Sequence, residues 1–171
     1  MLEDDFVIVK FFTKESTSWL KTNTYLYECT SSRDLDPHFS DFNNDGYNDI
    51  TFISLIAARG GNEVRRLFIY DKKGDQLISI LNSEDYPNMQ YNEELDCIDA
   101  FLLHGGSSTV FAKIKGDSLK TFARVDNDNY RTVSEISESD NRKIISKDTI
   151  INEGDVFTRY KNYKPLKAYK Y

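Results

Sequence analysis

Hydrophobic residues recur along this chain in short runs rich in β-branched and aromatic side chains, and Gly, Asn and Asp separate the runs. Helical periodicity is weak nearly everywhere, so the pattern predicts strands. The predicted strands are Phe6–Phe12, Thr24–Glu28, Ile50–Ala58, Val64–Asp71, Gln76–Leu81, Cys97–Leu103, Thr109–Lys115, Ser118–Val125, Tyr130–Ile136, Arg142–Lys147 and Asp155–Tyr160. We expect helical turns only near Asn82–Tyr91 and Ser134–Asn141. No linker rich in Pro or Ser divides the chain, so residues 1–171 are predicted to form a single domain.

A weak internal repeat of strand, Gly-Gly, strand, Gly-Asp and strand occurs twice. The two copies are Ile53–Ala58, Gly60-Gly61, Val64–Tyr70, Gly74-Asp75 and Gln76–Ile80, then Ile98–Leu103, Gly105-Gly106, Thr109–Lys115, Gly116-Asp117 and Ser118–Val125. A third, degraded copy is expected at Gly154-Asp155 and Val156–Tyr160. The Gly-Asp pairs lie 42 and 38 residues apart, close to the blade period of about 40–45 residues in propellers.

The repeat predicts an all-β fold with a small propeller-like or irregular antiparallel β architecture of about four short blades or meanders. Gly-Asp turns are common in any antiparallel sheet. Two meanders in a sandwich or an open barrel are therefore the alternative.

The segment Asp41–Ile50 carries oxygen-bearing side chains at alternate positions around one glycine and leads into an apolar strand. Calcium takes about six to eight oxygen ligands, and a short loop supplies several of them when alternate side chains point inward. The predicted ligands are the side chains of Asp41, Asn43, Asp45 and Asp49 and the backbone carbonyl of Tyr47. Gly46 permits the left-handed backbone that turns the loop. An EF-hand loop would end in Glu at a position that is Phe52 here, so a shorter loop between strands is expected.

A metal-free acidic turn is the alternative for this segment, because Asn, Asp and Gly are also the commonest turn residues. An ordinary hairpin turn uses only about two to five residues, however. Three carboxylates packed so closely repel each other unless a cation compensates them. Calcium is therefore the expected cofactor.

Composition narrows the class of protein. A chain of 171 residues is long enough to bury a core without many disulfides. The net charge of −6 provides no broad basic field, which argues against a nucleic-acid partner. No run of 18 apolar residues occurs, so no transmembrane segment is predicted. No apolar signal-peptide core follows Met1, so we expect either a cytosolic protein or one whose export segment has been removed.

Cys29 and Cys97 are the only cysteines. They pair if the protein is exported, or they are two buried thiols in neighbouring strands. The sequence has no Cys-x-x-Cys and no His/Cys spacing of a metal site.

The loop Asp41-x-Asn43-x-Asp45-Gly46-x-x-Asp49-Ile50 resembles the calcium loop of FG-GAP and VCBS-type repeats, found in integrin α-subunit propellers and many bacterial surface proteins. A wider order of motifs is similar to small bacterial envelope proteins with one such loop, a group that includes inhibitors and immunity proteins against secreted lysozyme-like toxins. That order is the loop, Arg59-Gly60-Gly61-Asn62, Arg66-Leu67-Phe68-Ile69-Tyr70-Asp71, Tyr86-Pro87-Asn88 and Gly105-Gly106-Ser107-Ser108. The resemblance implies a calcium-binding β protein that is periplasmic or extracellular and has a protein partner.

No catalytic motif is evident. His38 and His104 are the only histidines, and neither a Gly-x-Ser-x-Gly nor a His-Glu-x-x-His motif occurs. A glycosidase carboxylate pair could be sought in two acidic groups. These are Glu93, Glu94 and Asp96, and Asp126 with Asp128. Separation in space decides that mechanism, and exposed acidic turns are far commoner. The chain is predicted not to be an enzyme.

The tail Tyr160–Tyr171 interleaves Lys with Tyr. Lysines commonly protect an edge strand from aggregation, which is one interpretation. A binding strip for an anionic glycan is the other.

The leading functional hypothesis is a non-enzymatic, calcium-stabilised binding protein of the bacterial cell envelope. Its acidic surface would attract a cationic partner such as a lysozyme-like, wall-degrading enzyme, which it would inhibit. The alternative is a carbohydrate-binding or adhesive module with the tail as its contact. A hydrolase with a dispersed carboxylate site is the third hypothesis.

Overall fold

The computed structural model describes residues 5–29 and 35–170, with the side chains of residues 5, 29 and 153 outside that description. The strands in these ranges are β1 (Asp5–Glu15), β2 (Ser18–Cys29), β3 (His38–Ser40), β4 (Asp49–Ala57), β5 (Asn62–Asp71), β6 (Gln76–Ser79), β7 (Gln90–Asn92), β8 (Cys97–Leu103), β9 (Ser107–Lys115), β10 (Ser118–Asn127), β11 (Tyr130–Ile136), β12 (Arg142–Thr149), β13 (Tyr160–Tyr163) and β14 (Leu166–Ala168). Short 3₁₀ turns lie at Ala58–Gly60, Ser83–Asp85 and Glu153–Phe157. In the described ranges, no helix is long and apolar enough to cross a membrane.

The strands form four antiparallel sheets, and each sheet joins strands that follow one another along the chain. The sheets are β1–β2, β3–β4–β5–β6, β7 to β12 in sequence order, and β13–β14. The six-stranded sheet has β7 at one edge and β12 at the other. The predicted all-β fold of irregular antiparallel meanders is confirmed.

The two predicted repeat units are the meanders β4–β5–β6 and β8–β9–β10. The third copy and the predicted strand Asp155–Tyr160 are wrong, because Glu153–Phe157 is a 3₁₀ turn and β13 begins only at Tyr160. The Val156 carbonyl accepts a hydrogen bond from Ser107 Oγ (2.6 Å), so the segment packs on the start of β9 and extends no sheet.

The two expected helical turns had different outcomes. The one within Asn82–Tyr91 is confirmed as the 3₁₀ turn Ser83–Asp85. The one within Ser134–Asn141 is wrong, since β11 and β12 form a hairpin there. Ser137 closes that hairpin: its N–H donates to the Asn141 carbonyl (3.0 Å) and its Oγ accepts from the Asn141 N–H (3.2 Å).

The sheets stack through alternating strand faces. In β5, Leu67 and Ile69 face the core shared with β8 and β9, whereas Phe68 packs beneath β1–β2. In β9, Val110 faces the same shared core and Phe111 faces the opposite side with Tyr160 of β13. Successive side chains of a strand point to opposite faces, which explains this division. The β1–β2 hairpin and the C-terminal strands therefore cover the outer faces of the two larger sheets.

Candidate functional site

The predicted calcium loop connects β3 to β4 and curls around its own polar side chains. The Asp45 N–H donates to Asp41 Oδ1 (3.1 Å) and to Asn43 Oδ1 (3.2 Å), and the Gly46 N–H donates to Asp41 Oδ2 (2.8 Å). The Tyr47 N–H donates to Asp45 Oδ1 (2.9 Å). Gly46 has a φ of 86°, the left-handed conformation that was predicted for it. The structure thus brings the oxygens of Asp41, Asn43 and Asp45 to one side of the loop.

Asp49 lies apart from this group at the start of β4 and is fully buried. Its Oδ2 accepts from the Phe42 N–H (2.8 Å) and its Oδ1 from the Tyr70 N–H (2.9 Å) of β5. Burial raises the pKa of Asp49 to about 6, and the charges of Asp45 and Asp41 act in the same direction, whereas the two N–H groups lower it. Asp49 therefore fastens the loop to the sheet, and ionising it is costly beside two other carboxylates.

The oxygens that the loop offers to a calcium ion are of several kinds. In the described ranges, no three His, Cys, Asp or Glu side chains converge as a metal site by themselves. A calcium ion would need Asn43 and the Tyr47 carbonyl beside Asp41 and Asp45, with Asp49 bound directly or through water. All of these are hard oxygen donors, the kind that calcium prefers. Calcium binding by this loop stays a prediction.

A second polar cluster lines an open cleft of about 470 Å³ on the six-stranded sheet. The cleft is lined by His104, Arg124, Asp126, Asp128, Thr132, Arg142 and Ile144. Arg124 and Arg142 both form ion pairs with Asp126, the latter at 2.6 Å. Ser108 lies beneath them, fully buried. Only Asp126, Asp128 and His104 were candidates from the sequence, because the lining residues of the cleft come from β10, β11, β12 and two turns and are not contiguous.

This cluster has the composition of a Ser-His-Asp triad but not its hydrogen bonds. His104 Nε2 lies 3.0 Å from Ser108 Oγ, and His104 Nδ1 lies 3.6 Å from Asp128 Oδ1. Nδ1 accepts the Gly106 N–H (3.1 Å), so a neutral His104 carries its proton on Nε2 and cannot take one from Ser108. Ser108 Oγ instead donates to Asp126 Oδ1 (2.6 Å). The nucleophile and the general base that a triad requires are therefore both missing from this arrangement.

Asp126, one of the carboxylates considered for glycoside hydrolysis, is held as an anion. Burial opposes ionisation of Asp126, but hydrogen bonds from Ser108 and Arg124, with the charge of Arg142, lower its pKa below the ordinary value. A general acid needs a raised pKa, so Asp126 is unsuited to that role.

Glu94 and Asp96 of the other acidic group also have lowered pKa values. Hydrogen bonds from Lys167 (2.6 Å) and Tyr91 (2.8 Å) lower the pKa of Glu94 and Asp96 respectively.

His38 is exposed in the three-residue strand β3.

Cys97 is a free, buried thiol. Burial raises the pKa of this thiol to about 12, and Asp99 contributes in the same direction, so the reactive thiolate is scarce at neutral pH. The Cys29 side chain lies outside the described residues.

The tail uses its aromatic rings inside the fold. Tyr160 is buried, and the Tyr163 ring lies 5.7 Å from that of Phe111. Tyr169 donates to Asp99 Oδ2 (2.6 Å). Lysines of the tail also have partners, among them Lys167 with Glu94. These contacts fit the structural interpretation of the tail, and the three tyrosines do not form an exposed strip for a glycan.

Comparison with known proteins identifies a shared fold. No family model and no curated protein sequence matches the chain. The solved structure of a Xanthomonas type IV secretion system related protein is similar, with a TM-score of 0.53 and 11% sequence identity. The match covers 85% of this chain and 95% of that chain. At this identity the likeness shows the fold alone. The resemblance to FG-GAP and VCBS-type repeats stays a prediction.

Proposed function

We propose that this protein is a non-enzymatic binding protein of the bacterial cell envelope, and that it inhibits a wall-degrading enzyme or gives immunity to one. The observation that carries the proposal is the fold shared with the Xanthomonas type IV secretion system related protein over nearly the whole of both chains. The order of motifs from the Asp41 loop to Gly105-Gly106 supports it, because it resembles small envelope proteins that include toxin inhibitors.

The polar contacts support a binding role rather than a catalytic one. In the cleft around His104, hydrogen bonds and ion pairs join most of the polar side chains to one another. An enzyme needs a nucleophile or a proton-transfer group that is accessible and suitably protonated. Ser108 is buried, and Asp126 is ionised between two arginines.

Calcium has a structural role in this proposal. Asp41, Asn43, Asp45, Tyr47 and Asp49 would hold the ion, with Asp49 bound directly or through water, and the ion would supply positive charge beside the carboxylates of Asp41 and Asp45. Hydrogen bonds within the loop, such as those from the Asp45 and Gly46 N–H groups to Asp41, already fix its backbone between β3 and β4. Binding free energy of a structural ion is then folding free energy.

We expect the protein partner to dock at the cleft. Asp128 and Ile144 are exposed there, with Ile144 57% accessible, and the edge strand β12 borders the cleft. An edge strand presents free backbone groups to a partner. The net charge of −6 favours a cationic enzyme by electrostatic steering.

The test uses a cationic lysozyme-type hydrolase encoded beside this gene, with calcium present. We expect stoichiometric inhibition of peptidoglycan lysis, and a Kd at least about tenfold weaker for Asp128→Lys, because the new charge repels the enzyme. Asp117→Lys, an exposed aspartate in the turn between β9 and β10, is the matched control and should inhibit normally.

Undiminished lysis in the presence of the protein would contradict the inhibitor proposal. An equal loss of affinity in Asp128→Lys and Asp117→Lys would show that the partner does not dock at the cleft. Specific binding to a glycan array, together with no binding to the hydrolase, would favour the carbohydrate-binding alternative.

A further inference from the structure

The β1–β2 hairpin is apolar on both of its faces. Its inner face packs on the four-stranded sheet through Val7, Val9, Phe11, Tyr25 and Tyr27. On the other face, Phe6, Ile8, Phe12, Trp19 and Leu26 are 55%, 56%, 44%, 67% and 61% exposed. In an ordinary antiparallel sheet with one face packed on the core, the side chains of the opposite, solvent-facing side are polar. This face therefore needs a separate explanation.

The strand register places these side chains on one continuous surface. Ile8 is opposite Leu26, Phe12 is opposite Lys21, and Lys14 is opposite Trp19. Residues directly opposite each other point to the same side of a hairpin. The surface that we call the outer face is formed by Phe6, Ile8, Lys10, Phe12, Lys14, Trp19, Lys21, Thr24, Leu26 and Glu28.

The inner face of the hairpin is firmly attached to the protein. Tyr25 OH donates to the Leu77 carbonyl (2.5 Å), and Tyr27 OH lies 2.6 Å from Ser79 Oγ. Both tyrosine rings also contact Phe68, with centroids 5.3 and 5.8 Å away. With its tyrosines committed to the four-stranded sheet, the hairpin presents the outer face to solvent.

The charge of the outer face differs from that of the molecule. Lys10, Lys14 and Lys21 are exposed among the apolar side chains, whereas Glu28, opposite Phe6, is the acidic residue that the register places on this face. Three lysines and one glutamate give these residues a formal charge of +2. The whole chain carries a net charge of −6. Basic and aromatic residues together suit the boundary between water and an anionic bilayer, where Trp is enriched and lysines contact lipid phosphates.

We propose that the outer face docks on the surface of an anionic lipid membrane. The apolar side chains enter the headgroup region, Trp19 lies at the interface, and the three lysines contact lipid phosphates. This inference goes beyond the proposed function, because it gives the protein a membrane contact that is separate from the cleft.

Other occupants fit the charges less well. A cationic enzyme is repelled by the three lysines. A second copy of the chain, joined through the same face by a twofold axis, brings a lysine-rich surface against itself. An acidic protein partner would also match the lysines, but the mixture of Trp, aliphatic side chains and lysines is typical of a membrane interface.

Trp19 is the only tryptophan of the chain, so its fluorescence reports directly on the outer face. We expect its emission to shift to the blue with vesicles of phosphatidylglycerol and phosphatidylcholine, and not with phosphatidylcholine alone. Binding should weaken as salt is raised, since it depends on screened charges. Replacing Lys10, Lys14 and Lys21 by Gln should weaken vesicle affinity about fivefold per lysine.

The control replaces three exposed lysines elsewhere, Lys120, Lys143 and Lys170, by Gln, which removes the same charge. Affinity should stay within about twofold, since these lysines lie outside the hairpin. A second variant, Ile8→Ser with Leu26→Ser, keeps every charge and should lose the blue shift. Circular dichroism checks that each variant is folded.

Several results would overturn the proposal. They are an absence of binding to the anionic vesicles, equal binding to both vesicle types, or equal losses in the two lysine triples. A dimer by light scattering whose Trp19 is shielded without lipid would assign the outer face to a second copy. Specific capture of an acidic protein through the three lysines, without vesicle binding, would assign it to a protein partner.

Discussion

Individual aspartates of the β3–β4 connection have different roles although they lie within nine residues of sequence. Asp41 and Asp45 accept backbone N–H groups of the loop itself, whereas Asp49 accepts N–H groups from Phe42 and from Tyr70 of the neighbouring strand. The motif predicted all three as calcium ligands, with Asp49 bound directly or through water. The second role of Asp49 depends on the pairing of β4 with β5, which no local pattern contains.

The calcium proposal predicts a conditional effect of Asp45→Asn. Asn keeps an oxygen for the Tyr47 N–H but removes one charge, so the variant should fold and bind calcium weakly. A ligand at 100 times its Kd stabilises a protein by about 2.7 kcal/mol. For a chain of this size that is roughly 5–10 °C in Tm. Thermal unfolding should show this gain for the wild type with calcium, and most of it should be lost in the variant.

In chelator the same variant should unfold at or slightly above the wild-type temperature, because it relieves repulsion with Asp41 and Asp49. Asp71→Asn is the matched control: its Oδ1 also accepts a backbone N–H, from Lys73 (3.0 Å), in the β5–β6 turn. Its Tm change should be the same with and without calcium. A Tm loss for Asp45→Asn that is equal in both conditions would rule out calcium binding there.

At the level of elements, two turns pack directly on each other beside the cleft. The turn between β8 and β9 contains Gly105 and Gly106, and the turn between β10 and β11 follows Asn127, the last residue of β10. A Cβ on Gly106 would lie 2.1 Å from the Asn127 carbonyl oxygen and 2.6 Å from Asp128 Oδ1. This approach positions His104 next to Asp128. Gly106 is therefore required by contact between two turns.

Gly106→Ala should lower the free energy of unfolding by at least about 1–3 kcal/mol, the usual cost of overpacking. Chemical denaturation measures this loss. Gly105→Ala is the control, since a Cβ there meets nothing within 4 Å. It should change stability by less than about 0.5 kcal/mol. Similar losses in the two variants would mean that the approach of the two turns does not limit this site.

The sequence predicted the central strands of the two larger sheets better than the short ones, and of the longest strand, β2, it predicted only Thr24–Glu28. β4, β5, β8, β9 and β10 carry enough β-branched and aromatic residues to be recognised. β3, β7 and β14 have three residues each, and they exist because a longer neighbour supplies their hydrogen bonds. Such pairing is non-local, so composition within a short window does not reveal it.

The two candidate sites also differ in whether local sequence is enough to predict them. The Asp41 loop is contiguous, so spacing alone was enough to predict it as a calcium site, and that site stays a prediction. The cleft combines residues from three strands, and Arg124 and Arg142 meet at Asp126 only because β10, β11 and β12 are adjacent. The run Phe6–Phe12 predicted a strand, but its period does not say which face is left exposed.

Across the whole molecule, a buried ionic contact attaches the end of the chain to the six-stranded sheet. Arg159 Nε donates to Asp99 Oδ1 (2.7 Å), and a second guanidinium nitrogen donates to the Asn88 carbonyl (2.9 Å). The Asp99 side chain is fully buried, and the Arg159 side chain is 10% exposed. Tyr169 also donates to Asp99, so both ends of the C-terminal hairpin meet at one carboxylate. This contact links segments about 60 residues apart.

Removing Arg159 should therefore destabilise the whole fold and not only its end. Arg159→Met leaves the Asp99 charge buried without its cation, which typically costs about 3–5 kcal/mol. At about 2–4 °C per kcal/mol, Tm should fall by roughly 6–20 °C. Lys164→Met is the control, because Lys164 pairs with Glu135 at the surface, where such pairs contribute about 0–1 kcal/mol. The double variant Asp99→Asn with Arg159→Met removes the unpaired charge and should recover part of the loss. A double variant that is no more stable than Arg159→Met would show that packing of the arginine side chain, and not its charge, holds the C-terminal hairpin on β8.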